Sequence, residues 1–435
     1  MSKGLSVLLA SASFGGTIAA ARDLVKHNID VGVVSSHRLG AAAWSRHVAR
    51  AYSAPPESEG QRFVERLVAI GAADPGQILL PTSDETAWMY AENATLLARH
   101  FRLYQPSIAT LQRILDKKLF ADAANNSGLA VLPSWYPRNI DDVATLAPTL
   151  SYPVLIKPRT HVHRLRHDKG LVARSISELL SKYQLFVDRE RARAGETPFL
   201  ADAHLPILQQ FVRVGNEGVH SVTGFIDRTG ELFVTRSATK VLQRSPPVGV
   251  GLCFESRPPA PALSDAVRRL CRELGYFGIF EVEFIWFNGR WAVIDFNPRL
   301  YNQIGMDIRR GMPLPLLACL DAAGDTTSLR EAVGKAQAQD NERIVFCDGF
   351  ALRAILFAQA VTGRISHKDR AYWRAWIRKH AADAVDLAAD GSDPIPWVIH
   401  TLSEICLGVK ALPRFMRSTA LDPALTPRPV IQELS

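Results

Sequence analysis

Over roughly the first hundred residues, apolar runs of strand length alternate with amphipathic stretches of helical length. "LSVLLA" reads as a strand, "GGTIAAARDLVKHN" as a helix and "DVGVVSS" as a second strand. "EGQRFVERLVAIGAA" returns to the helical period, and "QILLPTSDE" is a strand running into a polar turn. Such alternation predicts βαβ units and a parallel sheet over residues 5–106. Ligands of these sheets sit beyond the strands' carboxyl ends. Ser83, Asp84 and Glu85 therefore either line a site or form a helix N-cap with acids in its first turn. The first turn, "SASFGG", lacks the GxGxxG of dinucleotide sites.

Further on, "LDKKLFADAANNSG" reads as a helix ended by Asn-Ser-Gly, and "SYPVLIKPRT" as a strand carrying Lys157. A basic loop, "HVHRLRHDKG", precedes a helix from about Ser177. "LPILQQFV", "GVHSVTGFID" and "GELFVTRSATKV" are expected strands, and "SDAVRRLCRELG" an expected helix. Past about Asp325 the pattern turns helical, with "RAYWRAWIRKHAADAVDLA" and "WVIHTLSEICLGVKALPRFMR" separated by the break "GSDPIP".

The stretch Glu281 to Arg299, "EVEFIWFNGRWAVIDFNPR", sets acids among bulky apolar residues, and Asn288-Gly289 marks a hairpin turn. A two-residue turn would pair Phe287 with Arg290 and Glu283 with Ile294, mixing acids and core residues on each face, which register rules disfavour. A three-residue loop ending in a left-handed Gly289 bulge sets Val282 against Ile294 and Phe284 against Ala292. It gathers Glu281 opposite Asp295, with Glu283 diagonal and Asn297 one step along. We expect this second register. Opposed carboxylates repel, so the face needs cations. Magnesium, a hard ion wanting oxygen and phosphate ligands, suits it, and arginines such as Arg299 or Arg309 are the bland alternative.

Composition adds modest constraints. Hydrophobic content of 47% and charged content of 22% are those of an ordinary globular chain. A formal charge of +8 and a pI near 9.3 favour acidic partners without choosing among nucleotides, anionic metabolites or anionic surfaces. The five cysteines are scattered, odd in number and form no CxxC pair, as expected of reduced thiols in a cytoplasmic protein. The N-terminal apolar run is too short for a signal peptide, and no run approaches the roughly 18 residues of a membrane span. No aromatic-plus-basic motif points to nucleic acid.

These residues together resemble the ATP-grasp superfamily over about residues 5–320. Its members carry a strand Glu followed twelve residues later by an acid and x-Asn-x-Arg, here Glu283, Asp295, Asn297 and Arg299. They also carry Asp-Lys at a helix start, here Asp116-Lys117, and a lysine in a YPVxxK strand, here Lys157. "LLPTSDET" and "DPIP" are similar to the branch of predicted carboxylate–amine ligases that includes D-aspartate ligase. The resemblance implies an α/β N-terminal domain with a parallel sheet (1–112), then a two-lobed α+β ATP-grasp fold (113–324, lobes 113–205 and 206–324). A helical C-terminal extension (325–435) would follow.

The resemblance further implies that Lys117 and Lys157 contact ATP phosphates. Glu283, Asp295 and Asn297 would hold Mg²⁺, or Mn²⁺ in its place, and Arg299 would stabilise the transferred phosphoryl group. Where relatives carry a Glu before the ribose contact, this chain has Gln209 and Gln210, expected at the nucleotide through backbone more than side chain. Where relatives have a glycine-rich flap, it has only Gly170 among His161, His163, Arg164, Arg166, His167 and Lys169. Those side chains either replace amide donors to the phosphates, grip an acidic substrate, or form a solvated loop. Lys240 and Arg244, ahead of Pro-Pro and the small Gly249 and Gly251, are expected on the γ-phosphate or an acyl phosphate.

The implied activity is amide formation from a small-molecule carboxylate and an amine through an acyl phosphate. Two alternatives stand beside it: a carboxylase working through carboxyphosphate, and a non-catalytic nucleotide-binding scaffold. In the tail, Trp373, Trp376 and Ile377, interleaved with Arg370, Arg374, Arg378 and Lys379, are expected to pack on the enzyme body. Peripheral contact with an anionic bilayer is the alternative, and a homo-oligomer is compatible with the sequence.

Overall fold

Strand–helix alternation at the N-terminus yields the expected parallel sheet. Its strands lie in the order Arg50–Ser53, Asp30–Ser35, Ser6–Leu9, Ile78–Leu80 and Arg102–Leu103, and every pairing is parallel. Strand order reverses between Ser6–Leu9 and Ile78–Leu80, the place where doubly wound sheets open a crevice at their carboxyl ends. The turns after these two strands meet there, with Thr82 Oγ1 donating to Ser11 Oγ at 3.1 Å. This description is of a computed structural model and covers residues 4–162, 170–191, 202, 204–213, 218–244, 250–339, 344–363 and 365–417. Within those ranges, the side chains of 191, 243, 244, 250 and 411–417 are not described.

Two further sheets follow. A four-stranded antiparallel sheet runs Ser134–Trp135, Ile207–Gln210, Val154–Lys157, Leu171–Ala173. Helices Ile140–Leu146 and Ile176–Arg191 back it, burying Val143, Leu179, Tyr183 and Phe186 against Val154 and Ile156. An eight-stranded sheet has the order Ala384–Asp386, Val345–Cys347, Val250–Arg257, Phe233–Arg244, Val219–Ile226, Gly278–Phe287, Arg290–Asn297, Ala130–Val131. One of its faces is dry. There Val282, Phe284 and Phe296 pack with Phe120 and with Val267 and Leu270 of the helix Pro261–Leu274.

The chain crosses between these sheets more than the sequence suggests. Ile207–Gln210 pairs in the smaller sheet although it lies past residue 206, while Ala130–Val131 extends the larger one beside Arg290–Asn297. The C-terminal segment is not purely helical either. It is mostly helix, but Val345–Cys347 and Ala384–Asp386 add two strands to the large sheet. Three-residue strands carry too little period-2 pattern to stand out from helical surroundings.

The acid-bearing ribbon corrects the expected register. Its turn is two residues long: Phe287 pairs with Arg290, and Asn288 (φ 48°) and Gly289 (φ 77°) both take left-handed conformations. That combination is a type I′ turn, whose twist matches the flanking strands. The extra residue lies deeper, as a bulge at Ile294. Phe284 pairs with Val293, and Glu283 pairs with Asp295. Val282 therefore faces Phe296 rather than Ile294, and Glu281 faces Asn297 rather than Asp295. The acids still share one face because a bulge restores the phase that the tight turn would lose.

Candidate active site

The face opposite the dry core gathers the ribbon's polar residues. Glu283 and Asp295 stand directly across from each other, with Glu281 and Asn297 as the next pair on the same side. Two cations hold the front pair. Lys117 Nζ lies 2.6 Å from Asp295 Oδ1, and Lys240 Nζ lies 2.5 Å from Glu283 Oε1. Lys240 is buried, and burial works against its charge. The adjacent Glu283, Glu281 and Asp295 outweigh that penalty and leave its pKa above the ordinary lysine value.

Each lysine is delivered by local structure. Asp116 is fully buried and caps the helix Lys117–Asn126, accepting from the N–H groups of Lys118 (2.8 Å) and Leu119 (3.3 Å). Arg159 also donates to it, at 3.0 Å from Nε. The Asp-Lys pair is thus a cap followed by a cation aimed at the ribbon. Lys157 ends the strand Val154–Lys157 and donates to the carbonyl of Ile294, the bulge residue, at 3.1 Å. The small sheet's lysine and the large sheet's acids therefore meet at one place.

Behind the front pair, Glu281 is enclosed by donors. Ser221 Oγ and Asn297 Nδ2 each donate to it at 3.0 Å, and Gln303 Nε2 donates as well. Burial, and then the neighbouring charge of Glu283, raise its pKa to about 7, only partly offset by Lys240, Gln303 and Arg299. Glu281 belongs to the polar face by its spacing of two from Glu283, yet nothing local marks it as a proton-holding group. Burial by other parts of the fold makes it one.

Arg299 links the ribbon to the N-terminal domain. Its Nε lies 2.9 Å from Asp84 Oδ1, and Nη2 donates to Asn297 Oδ1 at 2.8 Å. Of the two readings of "TSDE", the structure displays the capping one. Ser83 caps the helix Asp84–Glu92 in a reciprocal arrangement with Thr86, and Asp84 still reaches Arg299. Around the same crevice, Ser11 and Ser83 both donate to Glu57, the latter at 2.8 Å. Burial raises the Glu57 pKa, those two hydrogen bonds opposing it. Glu57, in "PPESEG", gives no sequence signal of its own; only the sheet's strand order brings it beside Ser83.

Other expected contacts fall differently. Gln209 and Gln210 are turned to protein: Gln209 Nε2 donates to Ser134 Oγ (3.1 Å) and Gln210 Nε2 to the Phe211 carbonyl (3.4 Å). The backbone of Gln209 is paired on both sides, with Ser134 and Leu155, so a base read by backbone would meet the chain beyond Gln210. Gly251 makes room for protein, since a Cβ there would fall 2.2 Å from the Phe254 ring. Lys169, His163, Arg164, Arg166, His167, Gly249 and the Arg244 side chain lie outside the described residues. Trp373 and Trp376 are buried against Leu352, Leu356 and Val345, as packing on the body requires.

The donor set fits a hard dication. Two opposed carboxylates, with the Asn297 amide in the next pair on the same face, offer oxygen ligands, and two lysine ammoniums sit on those carboxylates, where compensating positive charge is needed.

No family model and no curated protein matches the chain. Solved structures do. The chain is similar to biotin carboxylase of Campylobacter jejuni in a β,γ-ATP complex (TM-score 0.60, 14% identity, covering 73% of this chain and 71% of that one). It is also similar to the biotin carboxylase domain of Hydrogenobacter thermophilus 2-oxoglutarate carboxylase with MgADP and bicarbonate (TM-score 0.59, 15% identity, 73% and 69%). A third likeness is to N5-carboxyaminoimidazole synthetase of Staphylococcus aureus (TM-score 0.55, 13% identity, 73% and 77%). All three are ATP-grasp enzymes, and the fold of this chain is the ATP-grasp fold.

Proposed function

We propose that the chain is an ATP-dependent ligase that joins a carboxylic acid to an amine through an acyl phosphate, in the manner of the D-aspartate ligase-like branch. The observation that carries this reading is the direct opposition of Glu283 and Asp295, with Lys117 and Lys240 bound to them and Lys157 at the bulge beside Asp295. Phosphoryl transfer asks for charge neutralisation and positioning more than for covalent help, and this cluster offers both. Each front carboxylate carries a lysine, so the cluster neutralises itself. Binding of triphosphate would draw Lys117 and Lys240 onto phosphate oxygens, releasing Asp295 and Glu283, and would take Lys157 from the Ile294 carbonyl.

Those two residues, with Asn297, would hold Mg²⁺, which supplies charge neutralisation along the phosphates. An oxygen of the substrate carboxylate attacks the γ-phosphorus, and ADP leaves with the electrons of the broken P–O bond. The amine nitrogen then attacks the carbonyl carbon, and phosphate departs as the amide forms. Lys240 is placed for the γ-phosphate. Arg299, a planar donor already bound to Asp84 and Asn297, suits the oxyanion of the tetrahedral intermediate. Asp84, Glu57 and Glu85 give the crevice an acidic lining that favours an ammonium-bearing acceptor. The raised pKa of Glu57 also fits it to take the proton that the amine loses.

A carboxyphosphate route is the second reading, favoured by the fold likeness to biotin carboxylase and N5-carboxyaminoimidazole synthetase. One experiment separates the two. ADP release is measured with amino acids and small acids singly and in pairs, with and without bicarbonate, and products are weighed by mass spectrometry. Release that requires an acid together with an amine supports the ligase; release that requires bicarbonate and one acceptor supports the carboxylase. Release indifferent to every addition would remove both.

A further inference from the structure

The segment beyond residue 344 forms an arginine-lined groove of about 560 Å³ that shares no residue with the site above. Two helices build it. Gly349–Val361 supplies Arg353, Leu356 and Phe357, and His367–Lys379 supplies Arg370, Arg374, Ile377 and Arg378. The last three arginines recur every four residues and so form one stripe of their helix. The opposite face carries Trp373 and Trp376, buried among Leu352, Val345 and Cys347, with Trp376 Nε1 donating to Glu255 at 2.9 Å. The stripe is therefore held outward by a fixed scaffold.

Its electrostatics are unfavourable as they stand. Arg370 and Arg374, and Arg374 and Arg378, are like charges at the spacing where they repel, and Arg353 adds a fourth from the facing helix. Among the described residues none of the four pairs with a carboxylate. Asp386, at the Arg353 end, accepts instead from the N–H groups of Gly349, Ala388 and Ala389. The groove is not simply polar either, for Phe357 is 68% exposed and lines it together with Leu356 and Ile377. Its volume is that of a small-molecule site, and guanidinium forks match phosphate oxygens.

We propose that this groove is a binding site for a phosphate-bearing amphiphile, a small molecule whose head is gripped by the arginines while its apolar body lies on Phe357, Leu356 and Ile377. The site is independent of the ligase chemistry and stands whichever acceptor the enzyme uses. The probe is dihexanoyl phosphatidic acid below its aggregation concentration, titrated calorimetrically into the full chain. Inorganic phosphate, dihexanoyl phosphatidylcholine and vesicles containing phosphatidylglycerol form the comparison arms. Saturable binding is expected, at least tenfold tighter than for phosphate or the phosphatidylcholine. It should weaken at least tenfold in Arg370→Ala/Arg374→Ala and in Phe357→Ser, with ADP release unchanged. Arg374→Glu, a single exposed change, repeats the test if the double variant folds poorly. Equal affinity for inorganic phosphate, no saturable binding, or vesicle binding without binding of the short-chain lipid each overturns the proposal.

Discussion

Replacing Glu281 by Gln tests the electrostatics of the buried acid face. In the folded chain Glu281 is 5% exposed and its pKa rises from 4.5 to about 7, through burial first and the charge of Glu283 second. Between those values the folded state holds a proton that the unfolded state has released. Stability therefore falls as pH climbs through that window, and above pH 7 the loss is complete. At 1.36 kcal/mol per pH unit, the rise corresponds to at most about 3 kcal/mol. Gln keeps the shape and stays neutral. Its carbonyl can accept from Asn297, while Ser221 turns its hydroxyl and Gln303 its amide to receive the new NH₂. Urea unfolding at pH 5, 6, 7 and 8, in EDTA and without nucleotide, can be followed by fluorescence of Trp286 and Trp291 on the same ribbon. The two proteins should be nearly equal at the acid end, with the variant ahead by about 1–3 kcal/mol at pH 8. Other titrating groups are common to both proteins and cancel in the difference. Curves that run parallel across this range would refute the reasoning.

Asp295→Ala removes a proposed oxygen ligand and strands Lys117; turnover should drop below detection in an ADP-release assay, and full activity would remove the metal assignment. Arg299→Lys loses the planar contacts to Asp84 and Asn297, and should lower kcat by about 10²-fold with little change in KM for ATP, the size typical of losing one oxyanion donor. A KM effect alone would mean that Arg299 only binds substrate. Asp116→Ala deletes a helix cap and a buried partner of Arg159, costing about 2–4 kcal/mol in chemical denaturation, while Asp116→Asn should recover part of it; equal losses would show that charge alone matters there. Trp373→Ala should cost about 3–5 kcal/mol through the cavity left among Leu352 and Leu356, and a change below 1 kcal/mol would mean that the C-terminal helices are loosely attached.

The sequence by itself determined the kinds of element and the chemistry of the ribbon. Alternating apolar runs are local patterns, so the parallel sheet, the lysine strand ending at Lys157 and the gathering of acids on one face could be read from spacing. The Asp116-Lys117 pair was singled out only through the family resemblance, and the capping role of Asp116 came from the structure. What only the tertiary structure decided depends on residues far apart in the chain. The bulge at Ile294, rather than a longer turn, sets Glu283 against Asp295, because strand phase answers to what each face must pack against and not to the turn alone. The perturbed Glu281, the Glu57 crevice and the Arg299–Asp84 link exist because separate segments bury one another. The short strands Val345–Cys347 and Ala384–Asp386 form only because a sheet edge is already there to pair with. Spacing along a chain reports which side chains share a face; burial and long-range pairing, which shift pKa values and choose registers, are properties of the assembled fold.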